Sequence, residues 1–159
     1  MRDNKGRQKK LTTTQPEKPG TPGSRLIRLL VVEDHQPTRD ELVCLVAPQD
    51  DITVIAEVGT GEEAVQAARR FRPAVVLMDI QLPGMNGIEA TRIVMSEFPA
   101  TKIVAVSNHS DSGLVHAFLD AGGAGYLCKG HAFEELIDAV RAVMDNRRYL
   151  GAGVEAPAA

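Results

Sequence analysis

Residues 74–89 read AVVLMDIQLPGMNGIE and carry three structural signals in one short stretch. The run AVVLM at 74–78 is apolar throughout, which is typical of a strand buried on both faces in a parallel sheet. The letters LPGMNG then mark a loop, and helical spacing follows. The stretch therefore predicts a strand, a loop and a helix. Asp79 stands where the strand ends, either as an ordinary turn residue or as a carboxylate displayed for chemistry.

The same alternation continues on both sides of this stretch. Apolar runs that predict strands lie at 26–32, 52–58, 74–78, 102–107 and 125–128. Helices are expected near 38–47 and 87–98, and three apolar stripes predict more: Ala64, Val65, Ala68 and Phe71; Leu114, Ala117, Phe118 and Ala121; Phe133, Leu136, Ile137, Val140 and Met144. Five β/α pairs predict an α/β, doubly wound parallel sheet, in which functional residues gather at the carboxyl ends of the strands.

The chain divides into one domain and two tails. Its 159 residues are enough for a single core, which we expect to span 26–146. Residues 1–25 carry seven Lys/Arg and two acidic residues, with Pro, Gly and Thr but little apolar content, and predict a disordered basic tail. That tail either attracts anionic partners or is a solvated leader, or its start codon is placed too early. Residues 147–159 are expected to form a flexible tail.

Several classes of protein are disfavoured by what the sequence lacks. It has no apolar run near the roughly 18 residues of a membrane span and no signal-peptide pattern, so a cytoplasmic protein is expected. Cys44 and Cys128 form no CxxC pair and are expected to be packing residues in a reducing compartment. Four scattered histidines argue against zinc, and the first strand is not followed by a glycine-rich nucleotide loop.

Polar residues follow four of the five predicted strands, at the ends that a parallel sheet brings together. They are Glu33 and Asp34, Asp79, Ser107, and Lys129. Singly, each has an ordinary explanation, because acids cap helices and lysines are usually solvated. Together, converging carboxylates raise a pKa or recruit a hard cation such as Mg²⁺, and the lysine beside them calls for an anion. These parts suit phosphoryl transfer to a carboxylate.

With these residues in place, the segment from about Leu26 to Asn146 resembles the receiver domain of bacterial response regulators. LMDIQLPGMNGIE and GGAGYLCK resemble the NarL/FixJ branch of that family. Asp79 lies 45 residues after Asp34, Ser107 lies 28 after Asp79, and Lys129 lies 22 after Ser107, which is spacing similar to the family's. The resemblance implies a flavodoxin-like (βα)5 fold whose five-stranded parallel sheet has the order 2-1-3-4-5.

The resemblance also implies a role for each site residue. Asp79 would accept a phosphoryl group from a sensor histidine kinase or phosphotransfer protein, and Lys129 would pair with the phosphoryl oxygens. Glu33, Asp34 and Asp79 would hold Mg²⁺ together with the backbone carbonyl of Gln81. Ser107 and Tyr126 would form the switch, in which the Ser107 hydroxyl approaches the new group and Tyr126 turns into the space left behind. The simpler alternative for Tyr126 is a partly buried aromatic residue of a strand, without a role in a switch.

A few residues depart from the common family pattern or bear on the alternatives. Gly130 replaces the proline that often follows the lysine, a difference that is frequent in the NarL-like branch. Asn108 is larger than usual and would narrow access to the phosphoryl group, while His109 either tunes hydrolysis or is a solvated loop residue. A haloacid-dehalogenase-type phosphatase would need a second Asp where Gln81 stands, so a turnover enzyme is not expected.

The output of the domain is the least determined part of the sequence. After the last predicted helix, NRRYLGAGVEAPAA is too short for a helix-turn-helix domain, so direct DNA binding is unsupported. We expect an unknown downstream protein target, and a homodimer through the last helix faces is an option. The alternatives are a phosphorylation-independent adaptor with this fold and a receiver that has lost its DNA-binding domain.

Overall fold

The computed structural model describes residues 26–157, so the basic tail at 1–25 lies outside the described residues. Strands and helices alternate along the described chain. The strands are β1 (Ile27–Val32), β2 (Ile52–Val58), β3 (Val75–Met78), β4 (Lys102–Ser107), β5 (Gly125–Cys128) and β6 (Tyr149–Leu150). The helices are α1 (Gln36–Val46), α2 (Gly61–Phe71), α3 (Gly87–Glu97), α4 (Ser112–Asp120) and α5 (Ala132–Met144). Among these described helices, none is long and apolar enough to cross a membrane.

All strand pairs in the sheet are parallel, in the order β2-β1-β3-β4-β5-β6. The predicted doubly wound α/β fold and the order of its first five strands are confirmed. The strand count of five was wrong, because Tyr149 and Leu150 pair with Gly125 and Tyr126 as a sixth strand. The phenolic hydroxyl of Tyr149 also donates to Glu135 Oε2 at 3.0 Å. This short strand depends on contacts with β5 and α5, which apolar periodicity does not reveal.

Two apolar cores cover the two faces of the sheet. In β1, Leu29 and Val31 pack into one core, against α1 and α5, while Leu30 and Val32 pack into the other, against α2, α3 and α4. Successive residues from Leu29 to Val32 therefore contribute alternately to the two cores. This arrangement explains why the strands read as continuous apolar runs rather than as alternating ones.

Polar caps define where three of the helices begin. Thr60 accepts a hydrogen bond from the backbone of Glu63, Asn86 accepts from Ile88 and Glu89, and Asp111 accepts from Leu114. Capping side chains satisfy amide groups that have no partner inside the helix. Because all three helices start just beyond the carboxyl ends of strands, the caps also fix the loops that surround the polar edge of the sheet.

Two expectations about packing residues were wrong. Cys44 is exposed, because it lies on the outer side of α1, opposite the buried Leu42 and Val46. Phe133 was assigned to the apolar stripe of α5 but is 51% exposed. The first turn of α5 turns Ala132 into the core and Phe133 outward, toward a surface groove that it shares with Leu42.

Candidate functional site

The acidic pair after β1 places one carboxylate inside the protein and one outside. Glu33 is 1% exposed, whereas Asp34 is exposed. The backbone of Glu33 is held on both sides, since its amide donates to Val58 O at 3.0 Å and its carbonyl accepts from Arg39 Nη1 at 2.9 Å. These two contacts fix the direction in which the acidic loop leaves the sheet.

Asp79 follows β3 at the centre of the same edge and is 5% exposed. Its amide donates to Val32 O at 3.0 Å, and its Oδ1 accepts the Gln81 amide at 3.0 Å. Gly87 packs directly beneath, so closely that an added Cβ would lie 2.1 Å from Asp79 O. The backbone around Asp79 is therefore held from the β1 side, from its own loop and from the start of α3.

Lys129 joins the two buried carboxylates. Its Nζ lies 2.6 Å from Glu33 Oε1 and 3.3 Å from Asp79 Oδ2. Its amide donates to Ser107 O at 2.9 Å, which ties the lysine to the end of β4. Two carboxylates thus share one ammonium group, and the closer contact is with Glu33 rather than with Asp79.

This crowding of like charge shifts proton affinities. Burial, and after it the neighbouring Asp79, raise the pKa of Glu33 to about 7 against the opposing effect of Lys129. Burial alone would lower the pKa of Lys129, but its bond to Glu33 and the charge of Asp79 outweigh that effect and raise it. Lys129 is therefore held in its charged form, as one ammonium group beside two carboxyl groups.

The three carboxylates can hold a metal ion. One oxygen from each of Glu33, Asp34 and Asp79 lies within 4.8 Å of the others, which is the kind of oxygen-only set that Mg²⁺ accepts. The second carboxylate oxygen of Glu33, Oε2, is buried and has no hydrogen-bond partner among residues 26–157. A buried acceptor of this kind beside two more carboxylates fits a divalent cation, because buried polar atoms normally have a partner.

Ser107 and Tyr126 lie on the neighbouring strands β4 and β5, and both are fully buried. Ser107 Oγ accepts the His109 amide at 3.1 Å, and the Tyr126 hydroxyl donates to His109 O. The Tyr126 ring packs edge-on against Phe118 with centroids 5.6 Å apart. Burial raises the pKa of the Tyr126 phenol, against a hydrogen bond with Ser107 that lowers it. The aromatic that was expected to turn inward is therefore already inside.

The structure brings the proposed site residues to one edge of the sheet. A cavity of about 170 Å³ is lined by Asp34, Asp79, Gln81, Ser107, Asn108 and Lys129. Glu33 contacts this group through Lys129. Tyr126 approaches it from behind, through the backbone of His109. Parallel topology thus gathers residues spread from 33 to 129 around one small polar space.

Comparison with known proteins gives the family. Residues 29–141 match the family described as Response regulator receiver domain. The chain belongs to this family. Response regulator GacA of Pseudomonas viridiflava is 38% identical over 125 residues, which cover 79% of this chain and 58% of that protein. Response regulator UvrY of Escherichia coli strain K12 is 35% identical over 129 residues, 81% of this chain and 59% of that protein. The chain therefore spans less than two thirds of the length of these curated relatives.

Solved receiver structures agree with the fold. A LuxR-family two-component response regulator from Aurantimonas sp. SI85-9A1 has a TM-score of 0.78 at 31% identity, covering 81% of this chain and 92% of that one. The response regulator domain of Thermotoga maritima CheB has a TM-score of 0.71 at 31% identity, covering 76% and 98%. The described fold is that of a receiver domain in two-component signalling.

Two residues around the receiver site were not identified from the sequence. Arg39 supports the acidic loop through Glu33 O, as described above. Glu62 Oε1 accepts the Met85 amide at 3.0 Å and so holds the loop between β3 and α3, where Gly84 has a φ of +71°. Glu62 lies 23 residues before its partner, and a surface glutamate in the first turn of a helix carries no signal of such a contact.

Proposed function

We propose that the chain is a phosphorylation switch in which the Asp79 carboxylate accepts a phosphoryl group from a phosphohistidine of a sensor histidine kinase or phosphotransfer protein. The observation that carries the proposal is the contact of one lysine, Lys129, with both Glu33 and Asp79 beside an open polar cavity. Buried carboxylates that outnumber the cations beside them destabilise a fold. Their presence here is explained if the site binds a metal ion and a phosphoryl group.

The transfer itself is a displacement at phosphorus. A carboxylate oxygen of Asp79 forms the new P–O bond as the P–N bond to the donor histidine breaks, and the electron pair leaves with the imidazole nitrogen. Mg²⁺ bound by Glu33, Asp34, Asp79 and the Gln81 carbonyl would neutralise charge on the phosphoryl oxygens. Lys129 supplies a fixed positive charge 3.3 Å from Asp79 Oδ2.

Once Asp79 is phosphorylated, the end of β4 would respond to the new phosphoryl group. The acyl phosphate carries about −1.5 to −2 charges in place of the −1 of the free carboxylate, and it brings three acceptor oxygens into the cavity. Ser107 Oγ already accepts the His109 amide, and its hydroxyl proton can be redirected toward a phosphoryl oxygen. A bond of this kind would fix the loop 108–111, together with Tyr126, whose hydroxyl donates to that loop. The altered surface would then bind a downstream protein.

A labelling experiment tests the proposal. The protein is incubated with Mg²⁺ and either acetyl phosphate or a phosphorylated histidine kinase, and intact mass and radiolabel are recorded. We expect one acid-stable, base-labile phosphoryl group per chain, lost in Asp79→Asn and strongly reduced in Asp34→Asn. Asp120→Asn, on the exposed end of α4, serves as the matched control and should be labelled normally. Absence of label from every donor, with partner binding intact, would favour the phosphorylation-independent adaptor instead.

A further inference from the structure

A segment beyond α5, residues 149–155, lies across the edge of the sheet as a strap. It begins as β6 and continues along β5, where the Gly151 amide donates to Tyr126 O at 2.9 Å. The Ala152 amide then donates to Glu135 Oε1 at 2.9 Å, which anchors the strap to α5. At Gly153 the backbone adopts a φ of +80°, a conformation that glycine takes without strain. This turn directs the strap toward the loop between β4 and α4.

The strap binds that loop through three hydrogen bonds. Ser110 Oγ donates to Gly153 O at 2.9 Å, and the Glu155 amide donates to Ser110 O at 3.1 Å. The Ser112 amide, in the first turn of α4, donates to Glu155 Oε2 at 3.0 Å. A carboxylate at this end of a helix is favoured by the helix dipole. Val154 adds an apolar contact with the core on that face of the sheet.

The same loop is held from the inside by the residues of the switch. His109 receives the Tyr126 hydroxyl at its carbonyl and donates its amide to Ser107 Oγ. His109 and Ser110 are adjacent, so the inner and outer contacts fix one short piece of backbone. In this position Ser107 lines the cavity of Asp79 and Lys129. The loop conformation that the strap binds is therefore the one in which Ser107 faces the phosphoryl site.

From this arrangement we infer that the strap positions Ser107 for phosphoryl binding, with Glu155 as a positioning residue that acts through the loop 108–111. The inference rests on the proposed function of Asp79. The strap and a phosphoryl group stabilise the same conformation of the loop. A docked strap therefore increases the affinity of the site for the phosphoryl group, and a bound phosphoryl group stabilises the docked strap. Loss of the Glu155 cap should weaken phosphoryl binding about two- to fivefold, the range expected for a charged group at a helix end.

The test compares wild type with Glu155→Ala, using beryllofluoride as the phosphoryl mimic. Affinities for Mg²⁺ alone, and for beryllofluoride at saturating Mg²⁺, are measured separately by titration calorimetry. We expect Glu155→Ala to bind beryllofluoride about two- to fivefold more weakly with unchanged Mg²⁺ affinity. Glu155→Gln keeps an acceptor oxygen and should fall between the two. Asp120→Ala removes the same charge from the other end of α4 and should leave beryllofluoride affinity as in wild type.

A second measurement follows the reciprocal effect in the strap. Amide hydrogen exchange at Gly151, Ala152 and Glu155 should slow when beryllofluoride binds to the wild-type protein. Gly153→Ala keeps Glu155 but makes the turn of the strap unfavourable, so it should lower beryllofluoride affinity in the same direction.

The outcomes separate the two proposals. Equal beryllofluoride affinity in wild type, Glu155→Ala and Gly153→Ala, with unchanged exchange in the strap, would overturn the role of the strap while the function of Asp79 stands. If wild type binds Mg²⁺ but neither beryllofluoride nor a phosphoryl group, the proposed function fails, and the role of Glu155 in phosphoryl binding fails with it. A parallel loss of Mg²⁺ affinity in Glu155→Ala would show a general disturbance of the fold and would also contradict specific positioning of Ser107.

Discussion

The two ends of the same parallel sheet treat charge in opposite ways. At the amino ends of the strands, Arg141 forms a two-point contact with Asp51 at 2.9 and 3.0 Å, with side chains 44% and 34% exposed. At the carboxyl ends, Glu33 and Asp79 share the single ammonium of Lys129 and are almost fully buried. At the amino end, the positive Arg141 is matched by the negative Asp51 in contact with water. At the carboxyl end, two carboxylates share one ammonium group away from water.

The two ends therefore differ in how much their charged side chains affect the stability of the fold. Exposed pairs contribute little to the free energy of unfolding, because water already solvates both partners. Buried carboxylates in excess of their cation lower that free energy, and a fold retains them when binding metal and phosphate restores it. Changes at the carboxyl end should therefore have larger effects than matched changes at the amino end, and effects that depend on pH.

The largest effect is expected where the backbone of the site is packed most tightly. In Gly87→Ala, the new Cβ would lie 2.1 Å from Asp79 O and 2.8 Å from Ile80 Cα, so either β3 or α3 must shift. We expect the free energy of unfolding to fall by about 3 kcal/mol or more. Urea denaturation measures this loss. Gly130→Ala is the matched control, since no described residue other than its chain neighbours lies within 4 Å of its added Cβ. Similar losses in both variants would contradict this account of the packing.

Removal of the shared cation should have the next largest effect. Lys129→Met leaves Glu33 and Asp79 buried beside each other without an ammonium group, and we expect a loss of about 2 to 3 kcal/mol near pH 8 in the absence of Mg²⁺. The loss should be smaller near pH 5, because a protonated Glu33 no longer repels Asp79. Denaturation at both pH values measures it, with Lys102→Met at the amino end as control. A loss independent of pH would argue against the charge mechanism.

The pH dependence of stability tests the raised pKa of Glu33 directly. Its pKa is about 7 in the folded protein and 4.5 as the ordinary value, so between these values the unfolded chain binds fewer protons. The metal-free protein should therefore lose stability as pH rises through this window, by up to about 3 kcal/mol, and level off above it. Thermal unfolding across the window measures the slope.

Glu33→Gln should remove most of this slope, while Glu41→Gln should leave it as in wild type. Burial also raises the pKa of Glu57, so part of the slope should persist in Glu33→Gln. A stability that rises with pH across the same window would show that Lys129 governs the pair more strongly than burial does.

The smallest effect is expected at the amino end. Arg141→Met removes the exposed pair with Asp51, and we expect a loss of about 0.5 kcal/mol or less, reduced further by salt. Urea denaturation at low and high salt measures it. A loss as large as that of Lys129→Met would remove the contrast between the two ends of the sheet.

The sequence predicted the features that depend on local pattern and on the parallel topology. Continuous apolar runs located β1 to β5, and the rule that parallel strands share an edge brought Asp34, Asp79, Ser107 and Lys129 together. It did not predict that Lys129 would lie closer to Glu33 than to Asp79. That preference arises from side-chain packing at the end of β1, and strand spacing does not determine such distances.

The failures share a physical cause, which is contact between residues distant in sequence. The stripe of large residues in α5 included Phe133, whereas small residues such as Ala132 and Ala139 make much of the buried surface. The strap escaped detection because AGVE has no periodicity, and its hydrogen bonds join residues that lie 43 positions apart. Contacts of that kind follow from the assembled fold and not from any one segment.

The sixth strand has a consequence for the behaviour of the protein at high concentration. Without Tyr149 and Leu150, β5 would end the sheet and present unpaired backbone groups, including Ala124 O, which accepts the Tyr149 amide, to any other extended chain. Exposed strand edges of this kind template aggregation. The two residues of β6 cover Gly125 and Tyr126 of that edge, and β6 is itself too short to offer an extended new edge to another chain.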